Sequence, residues 1–177
     1  MTGFSFTGVY FRKTAAAMIA VSMAVVTSGC GKGDEKPPEL EKNFTCTAVI
    51  VQNEEQYCAQ LERVDGVGWR AVFSQPETIE GMEVSLLNDQ CTVNFKELTY
   101  TADRDELPEN GMIQLIASAA DRCISGKGIK SSSNDEKFIF DGETGNVGFT
   151  AEVSGGTVSS LEIAGEITAE FSDYDID

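Results

Sequence analysis

The 177-residue chain contains no histidine and little positive charge, since 13 basic residues stand against 29 acidic ones, a formal net charge of -16. Without histidine the chain cannot build Ser-His-Asp or Cys-His nucleophile systems, histidine general acid–base pairs, or histidine-ligated metal sites. The shortage of basic residues argues against nucleic-acid binding, because a binder neutralises phosphates with a basic face. Hydrophobic residues make up 41%, which is enough for a core. The composition therefore favours a non-catalytic globular domain.

Motifs for metals and phosphates are also missing. The cysteines show no Cys-x-x-Cys spacing, so we expect no zinc site. Residues 125–128 (Ser-Gly-Lys-Gly) lack the Gly-x4-Gly-Lys-Ser/Thr spacing of a phosphate-binding loop. Residues 138–177 contain many acidic residues and no Lys or Arg, a pattern typical of a solvated sheet face, with a calcium site or a cationic partner as the alternative. We predict no catalytic residue, no metal ligand and no cofactor.

Residues 1–29 have the pattern of a bacterial lipoprotein signal peptide. Arg12 and Lys13 precede an uncharged apolar run over residues 15–26, which is too short for a transmembrane helix of about 20 residues. The run ends in Thr-Ser-Gly-Cys, which resembles a lipobox, where signal peptidase cleaves before the cysteine and a diacylglycerol is attached to its sulfur. The pattern predicts that Cys30 anchors the protein to the extracytoplasmic face of the cell membrane. An ordinary signal peptide, or an uncleaved anchor, is the alternative.

The chain after the cleavage site divides into a tether and one domain. Residues 30–43 are polar and charged and contain a Pro pair, which predicts a flexible tether, and residues 44–177 form the domain. Removal of residues 1–29 leaves 11 basic and 29 acidic residues, a net charge of -18. Anionic lipid repels a domain of that charge. We therefore expect the diacylglycerol on Cys30, and not the surface of the domain, to hold the protein at the membrane.

Along the domain, the spacing of the hydrophobic residues changes from that of strands to that of a helix, and then returns to that of strands. Six strands or strand pieces joined by tight turns are predicted between residues 44 and 100, which indicates an antiparallel meander. A helix is predicted from Gly111, with Asn110 as its cap, to a stop at Gly126. Strands return between residues 137 and 171. This order fits a mainly β (α+β) domain in which one antiparallel sheet curves around one helix.

Three stretches resemble the outer-membrane lipoprotein carrier superfamily, the LolA-like proteins. Trp69-Arg70 and the following residues 73–81 (Phe-Ser-Gln-Pro-Glu-Thr-Ile-Glu-Gly) resemble a recurring stretch of this family. In that stretch, a strand with an aromatic residue and an Arg is followed by a Pro and then by a strand, a turn and another strand. Residues 141–145 (Asp-Gly-Glu-Thr-Gly) resemble the family's Asp-Pro-x-Thr-Gly turn. Residues 161–163 and 168–174 resemble the last two strands of LolA-like lipoproteins of Gram-positive bacteria.

The resemblance implies an open, strongly curved sheet, an incomplete β-barrel with its helix on the concave side, and a cavity that holds lipid acyl chains. It predicts a non-catalytic lipoprotein that binds a lipid acyl chain or another hydrophobic ligand. The predicted cavity is lined by Val84, Leu86, Val93, Phe95, Leu98, Met112, Leu115 and Ile116. The alternative is a helix that simply packs on the sheet, in an envelope structural or protein-interaction module with a collapsed core and no ligand.

Four cysteines follow Cys30, and they invite disulfides outside the membrane. Cys91 lies on the apolar face of its predicted strand and Cys123 on the apolar face of the helix, so the two could meet if the helix lies in the concavity. We predict this disulfide as a possible one, with a Cys46–Cys58 pair and free buried thiols as the alternatives.

Overall fold

The computed structural model of the chain describes residues 36–106, 111–134 and 137–176. The predicted signal peptide, Cys30 and the predicted cap Asn110 lie outside these residues. Within them, the structure has eleven strands, one α-helix and two short 3-10 turns at Glu77–Ile79 and Arg104–Glu106. No helix in the described ranges is long and apolar enough to cross a membrane.

The elements follow the predicted order of strands, helix and strands. The helix is α1, Met112–Ser125. The strands are β1 Phe44–Gln52, β2 Glu55–Val64, β3 Gly68–Gln75, β4 Glu83–Leu87, β5 Gln90–Phe95, β6 Leu98–Asp103, β7 Lys130–Asn134, β8 Lys137–Thr144, β9 Val147–Ser154, β10 Thr157–Ile163 and β11 Ile167–Ile176. Strand β7 lies before the range of residues 137–171 in which the sequence predicts that strands return.

All eleven strands form one antiparallel sheet, in the order β6-β5-β4-β3-β2-β1-β11-β10-β9-β8-β7. Two meanders, β1–β6 and β7–β11, are joined where β1 pairs with β11. The edge strands β6 and β7 do not pair with each other in the described part of the chain, so the sheet does not close.

The sheet curves because its inward face must reach a single helix. Strands about 4.8 Å apart would make a flat sheet of eleven roughly 48 Å wide, whereas a 14-residue helix is about 21 Å long. The inward residues of β1–β5 and β8–β11 nevertheless belong to one core cluster with α1. The predicted fold class is therefore confirmed: a mainly β, incomplete barrel with one main helix on its concave side.

Alternation along each strand separates the two faces of the sheet. In β1, Cys46, Ala48 and Ile50 are buried, while the residues between them are only partly covered. The neighbouring strand β2 places Leu61 opposite Cys46 and Ala59 opposite Ala48, so all five side chains point into the concavity. The convex face is mostly polar, with a few valines such as Val51 and Val64, as expected for a sheet that is solvated on one side.

The helix is amphipathic and ends where the sequence predicts. Ile116, Ala119 and Cys123 are almost completely buried on the face that meets the sheet. Gly126 adopts the left-handed conformation (φ 64°), and its N–H donates to the carbonyl oxygens of Arg122 and Cys123 at 2.9 and 3.2 Å. Glycine suits this position because a side chain would be strained there.

The packed domain begins before the predicted boundary between residues 43 and 44. Leu40 is only 5% exposed and belongs to the core cluster. The N–H of Glu41 donates to the carbonyl oxygen of Gly156 at 2.9 Å, and the side-chain oxygen of Asn43 accepts from the N–H of Asp65 at 2.7 Å. The last four residues of the predicted tether are thus part of the domain.

Candidate functional site

An apolar groove opens on the concave face beside the first turn of α1. Its volume is about 270 Å³. It is lined by Phe73, Met82, Val84, Leu86, Cys91, Gly111, Met112, Ile113 and Gln114. Gln114 is the one residue in this lining with a polar side chain other than a thiol, so the groove suits an aliphatic group rather than a charged one.

Three strands and one helix end build the groove. Cross-strand pairing sets Ala71 of β3 opposite Val84 of β4, and Val84 opposite Val93 of β5. Paired residues point to the same face, so this row runs straight across the concavity. Met112 and Ile113 at the start of α1 line the groove together with Val84 from the middle of this row.

The apolar surface continues past the helix to the edge strand β6. Tyr100 pairs with Val93, and Leu98 pairs with Phe95, so both β6 side chains point to the concave face. Leu98 is 75% exposed and Tyr100 is 60% exposed. We call Val93, Phe95, Leu98 and Tyr100 the apolar strip. Exposed large side chains that adjoin an apolar groove are typical of a binding surface.

The interior under the second half of α1 is packed instead. Ala120 and Ile124 there meet Trp69, Val158 and Phe171, and the space left between them is about 10 Å³. That volume holds about one water molecule. The helix therefore divides the concavity into a closed core and an open groove.

The structure brings together only some of the predicted cavity residues. Val84, Leu86 and Met112 line the groove. Val93 and Phe95 are half-buried in the strip beside it, and Leu98 lies in the open at the sheet edge.

Leu115 and Ile116 do not line the groove. They are 8% and 1% exposed, and both belong to the core between α1 and the sheet. The central strands present small side chains there, including Ala48 and Ala71, which lets the helix approach closely.

Sequence reasoning missed Phe73, Met82 and Ile113 as groove residues. Phe73 follows the alternation of β3, which identifies its face as inward, but that pattern does not show which inward residues line an open groove. Met82 and Ile113 lie at the ends of elements, where hydrophobic periodicity carries the least information.

The predicted Cys91–Cys123 disulfide does not form, and the cysteines in the described residues are free thiols. Cys91 lies beside Met112 and Ile113 at the start of α1. Cys123 lies about ten residues further along the same helix, roughly 15 Å away at 1.5 Å per residue. A disulfide needs Cα atoms closer than about 7 Å. Both thiols lie on the apolar faces that the sequence predicts. Cys91 of β5 faces the start of α1, however, whereas Cys123 lies near the end of that helix.

Burial makes the core thiols poor nucleophiles. It raises the pKa of Cys46 to about 12 and the pKa of Cys123 to about 12, and it also raises the pKa of Cys91. Burial is likewise the main cause of the raised pKa of Tyr174, whose hydroxyl donates to the carbonyl oxygen of Val158 at 2.6 Å. Thiols that react readily have lowered pKa values, so these groups belong to the core rather than to a reactive centre.

Arg63 joins the helix, the sheet and the entering chain. Its Nε donates to Asp121 of α1 at 2.9 Å, and a second guanidinium nitrogen donates to the carbonyl oxygen of Lys42. Its guanidinium also lies 5.9 Å from the ring centroid of Trp69. Only 11% of the Arg63 side chain is exposed. We infer that Arg63 fixes the C-terminal half of α1 against the sheet.

Arg63→Ala is expected to lower the free energy of unfolding by about 2 kcal/mol. The change leaves the Lys42 carbonyl and Asp121 without their donor. The expected loss of stability is moderate because Asp121 is 43% exposed, and water can replace part of the interaction. Urea denaturation measures the loss. Arg70→Ala is the matched control, since Arg70 pairs with Glu83 on the convex face at an exposed site, and we expect about 0.5 kcal/mol there. Equal losses in the two variants would contradict the role of Arg63.

The polar cleft beside the C-terminal end of α1 has no dominant charge. It is about 860 Å³ in volume and wide open. Four basic residues line it together with three acidic ones. In the part of the chain that the structure describes, no three acidic or cysteine residues come together in a group that could hold a metal ion.

The sequence matches no known family model, and no curated protein matches it. Solved structures do resemble its fold. A conserved protein from Thermus thermophilus, described as uncharacterized, aligns with a TM-score of 0.50 and 8% identity, over 78% of this chain and 81% of that chain. A LolA superfamily protein from Nitrosomonas europaea aligns with a TM-score of 0.42 and 8% identity, over 80% and 88%. A DUF1329 family protein from Desulfovibrio piger aligns with a TM-score of 0.43 and 9% identity, over 77% and 86%. The similarity to the Thermus protein concerns the fold alone.

Proposed function

We propose that this protein is a membrane-anchored surface lipoprotein that holds an acyl chain or another hydrophobic ligand in the groove beside α1, without catalysing a reaction. One observation carries the proposal: the apolar groove continues into an apolar strip that no described part of the chain covers. Covering Leu98 and Tyr100, which are 75% and 60% exposed, would remove a large apolar surface from water. An aliphatic ligand would gain about 0.8 kcal/mol for each methylene group that it buries.

The size and chemistry of the groove fit one aliphatic chain. Its 270 Å³ is just below the roughly 300–1,000 Å³ of small-molecule sites. The near absence of polar side chains means that a polar headgroup would stay outside, at the rim. The LolA-like resemblance supports this proposal, because it implies an acyl-chain cavity on the concave side of a curved sheet.

The ligand is tested by native mass spectrometry after mild extraction from the membrane. We expect adduct masses that correspond to copurified lipid, and uptake of a fluorescent fatty acid by the emptied protein. A clean ligand-free mass together with no uptake of the fluorescent probe would overturn the proposal.

The anchor is tested separately at Cys30. Labelling with radioactive palmitate is expected to mark the wild type and not Cys30→Ala, because the acyl chains are carried on that sulfur. Cys58→Ala, which removes a half-buried thiol of the domain, serves as the control and should label like the wild type. Equal labelling of wild type and Cys30→Ala would contradict lipidation at this residue and leave the groove proposal untouched.

A protein-interaction module without a ligand is the second candidate, and the edge strand β6 favours it. Residues 98–102 (Leu-Thr-Tyr-Thr-Ala) are free of charge, and among the described strands β6 pairs with β5 alone. Such an edge can accept another strand. A pull-down with a non-lipidated variant that recovers one specific protein, which Tyr100→Lys no longer binds, would favour this candidate.

A further inference from the structure

The groove and strip end at a lysine. Lys96 lies in the two-residue turn between β5 and β6, directly after Phe95 and before Glu97. Its ammonium nitrogen is 4.9 Å from the centroid of the Phe95 ring. This cation–π contact holds the charge over the aromatic ring rather than leaving the side chain free in solvent.

The ring below Lys96 belongs to the ligand surface. Phe95 is paired with Leu98, and its side chain points to the concave face. The pairing of Glu83 with Asn94 places Met82 next to Phe95 across the strands, and Met82 lines the groove. Lys96 is therefore a cation at the rim of an otherwise apolar path.

Within the described residues, no carboxylate forms an ion pair with Lys96. Among the described residues, Arg63, Arg70 and Lys137 form ion pairs and Lys96 does not. Arg104, at the far end of the same hairpin, shares a pocket with three aspartates, at positions 89, 103 and 105. In a chain with a net charge of -16, an anionic ligand would otherwise be repelled from most of the surface. At the rim, an anionic group would interact favourably with the ammonium group of Lys96.

We propose that Lys96 selects acyl ligands with an anionic headgroup, whose aliphatic chain lies along the strip and in the groove. This inference rests on the proposed function and adds the class of headgroup. The headgroup charge could be the carboxylate of a fatty acid or the phosphate of a single-chain phospholipid, and both would meet the same ammonium group.

The test compares three probes: palmitate, its methyl ester and palmitoyl lysophosphatidate. Lys96→Met keeps the aliphatic stem of the side chain and removes its charge. We expect it to weaken palmitate binding about threefold to fivefold, the effect of one exposed ion pair, and to leave the methyl ester unchanged. If the natural headgroup is a phosphate, lysophosphatidate loses more than palmitate does.

Two further variants control this experiment. Lys96→Arg should bind all three probes as the wild type does. Lys127→Met changes the net charge by the same amount at the opposite end of α1, in the polar cleft, and should have no effect. An equal loss for palmitate and its methyl ester, or no loss for either anionic probe, would overturn the inference while the groove proposal stands. A wild type that binds none of the probes would overturn both.

Discussion

Met112→Asp is expected to weaken binding of an acyl ligand at least about a hundredfold, which is roughly 2.7 kcal/mol. Met112 lines the groove from the first position of α1. A carboxylate at this position must lose water when an aliphatic chain enters, and the groove offers no cation to replace that water. Unpaired charges in apolar surroundings are among the most unfavourable contacts in proteins.

The same change should preserve the fold. Met112 is only partly buried, and the first turn of α1 carries no acidic residue. A negative charge there interacts favourably with the helix dipole, worth about 0.3–1 kcal/mol. We therefore expect circular dichroism and thermal unfolding of Met112→Asp to stay close to those of the wild type. This combination separates loss of binding from loss of structure.

Two control variants complete the experiment. Met112→Leu keeps an apolar side chain of similar volume and should bind like the wild type. Thr99→Asp adds the same charge on the convex side of β6, since Thr99 pairs with Asn94 and alternates with Leu98 and Tyr100. Titration with a fluorescent fatty acid compares the three variants. Equal weakening by Met112→Asp and Thr99→Asp would show that net charge, not the groove, controls binding.

Local patterns in the sequence predict most of this fold. The alternation in residues such as Cys46, Ala48 and Ile50 reports a strand with one buried face, and the 3.6-residue period of Leu115, Ile116 and Ala119 reports a helix. Turns with glycine or Asn-Asp mark the ends of these elements. The order of the elements then leaves few antiparallel arrangements, because consecutive strands joined by tight turns pair with each other.

The exact place of the binding surface could not be predicted in the same way. The apolar face of Leu98 and Tyr100 looks like a core face in the sequence, but both residues remain exposed because no described part of the chain packs over them. Leu115 and Ile116 have the same spacing as Met112, yet only Met112 lines the groove. Where one helix lies across a curved sheet depends on the sizes of many facing side chains, which a linear pattern does not contain.

Contacts between segments that are distant in the sequence could not be predicted either, because local patterns do not show which distant residues meet. Leu40 stands in a polar stretch with a Pro pair, and composition alone predicts a tether there, while the structure buries its side chain beside Trp69. Arg63 follows the inward alternation of β2, and its role depends on Asp121, 58 residues away. A pattern of local hydrophobicity detects neither partnership.

Raising the pH from 8 to about 10.5 is expected to lower the free energy of unfolding by roughly 4 kcal/mol through two buried thiols, about 2 kcal/mol from each. Burial raises the pKa of Cys46 and the pKa of Cys123 from their usual value near 9 to about 12. Above pH 9 the unfolded chain releases these protons and the folded chain retains them. The stabilising effect is therefore complete below pH 9 and is lost as the pH rises toward 12. The raised pKa of Tyr174 acts in the same direction.

Urea denaturation at several pH values measures this dependence, and Cys123→Ala isolates one thiol. The variant should lose about 2 kcal/mol less than the wild type between pH 8 and 10.5, since one of the two titrating groups is gone. Ile163→Val, a truncation of a buried residue without a titrating group, should lower stability by the same amount at every pH. If wild type and Cys123→Ala lose stability in parallel, burial of this thiol is not the cause of the alkaline sensitivity. A parallel loss would also imply that water reaches Cys123, so the part of the concavity under the second half of α1 would be open rather than packed.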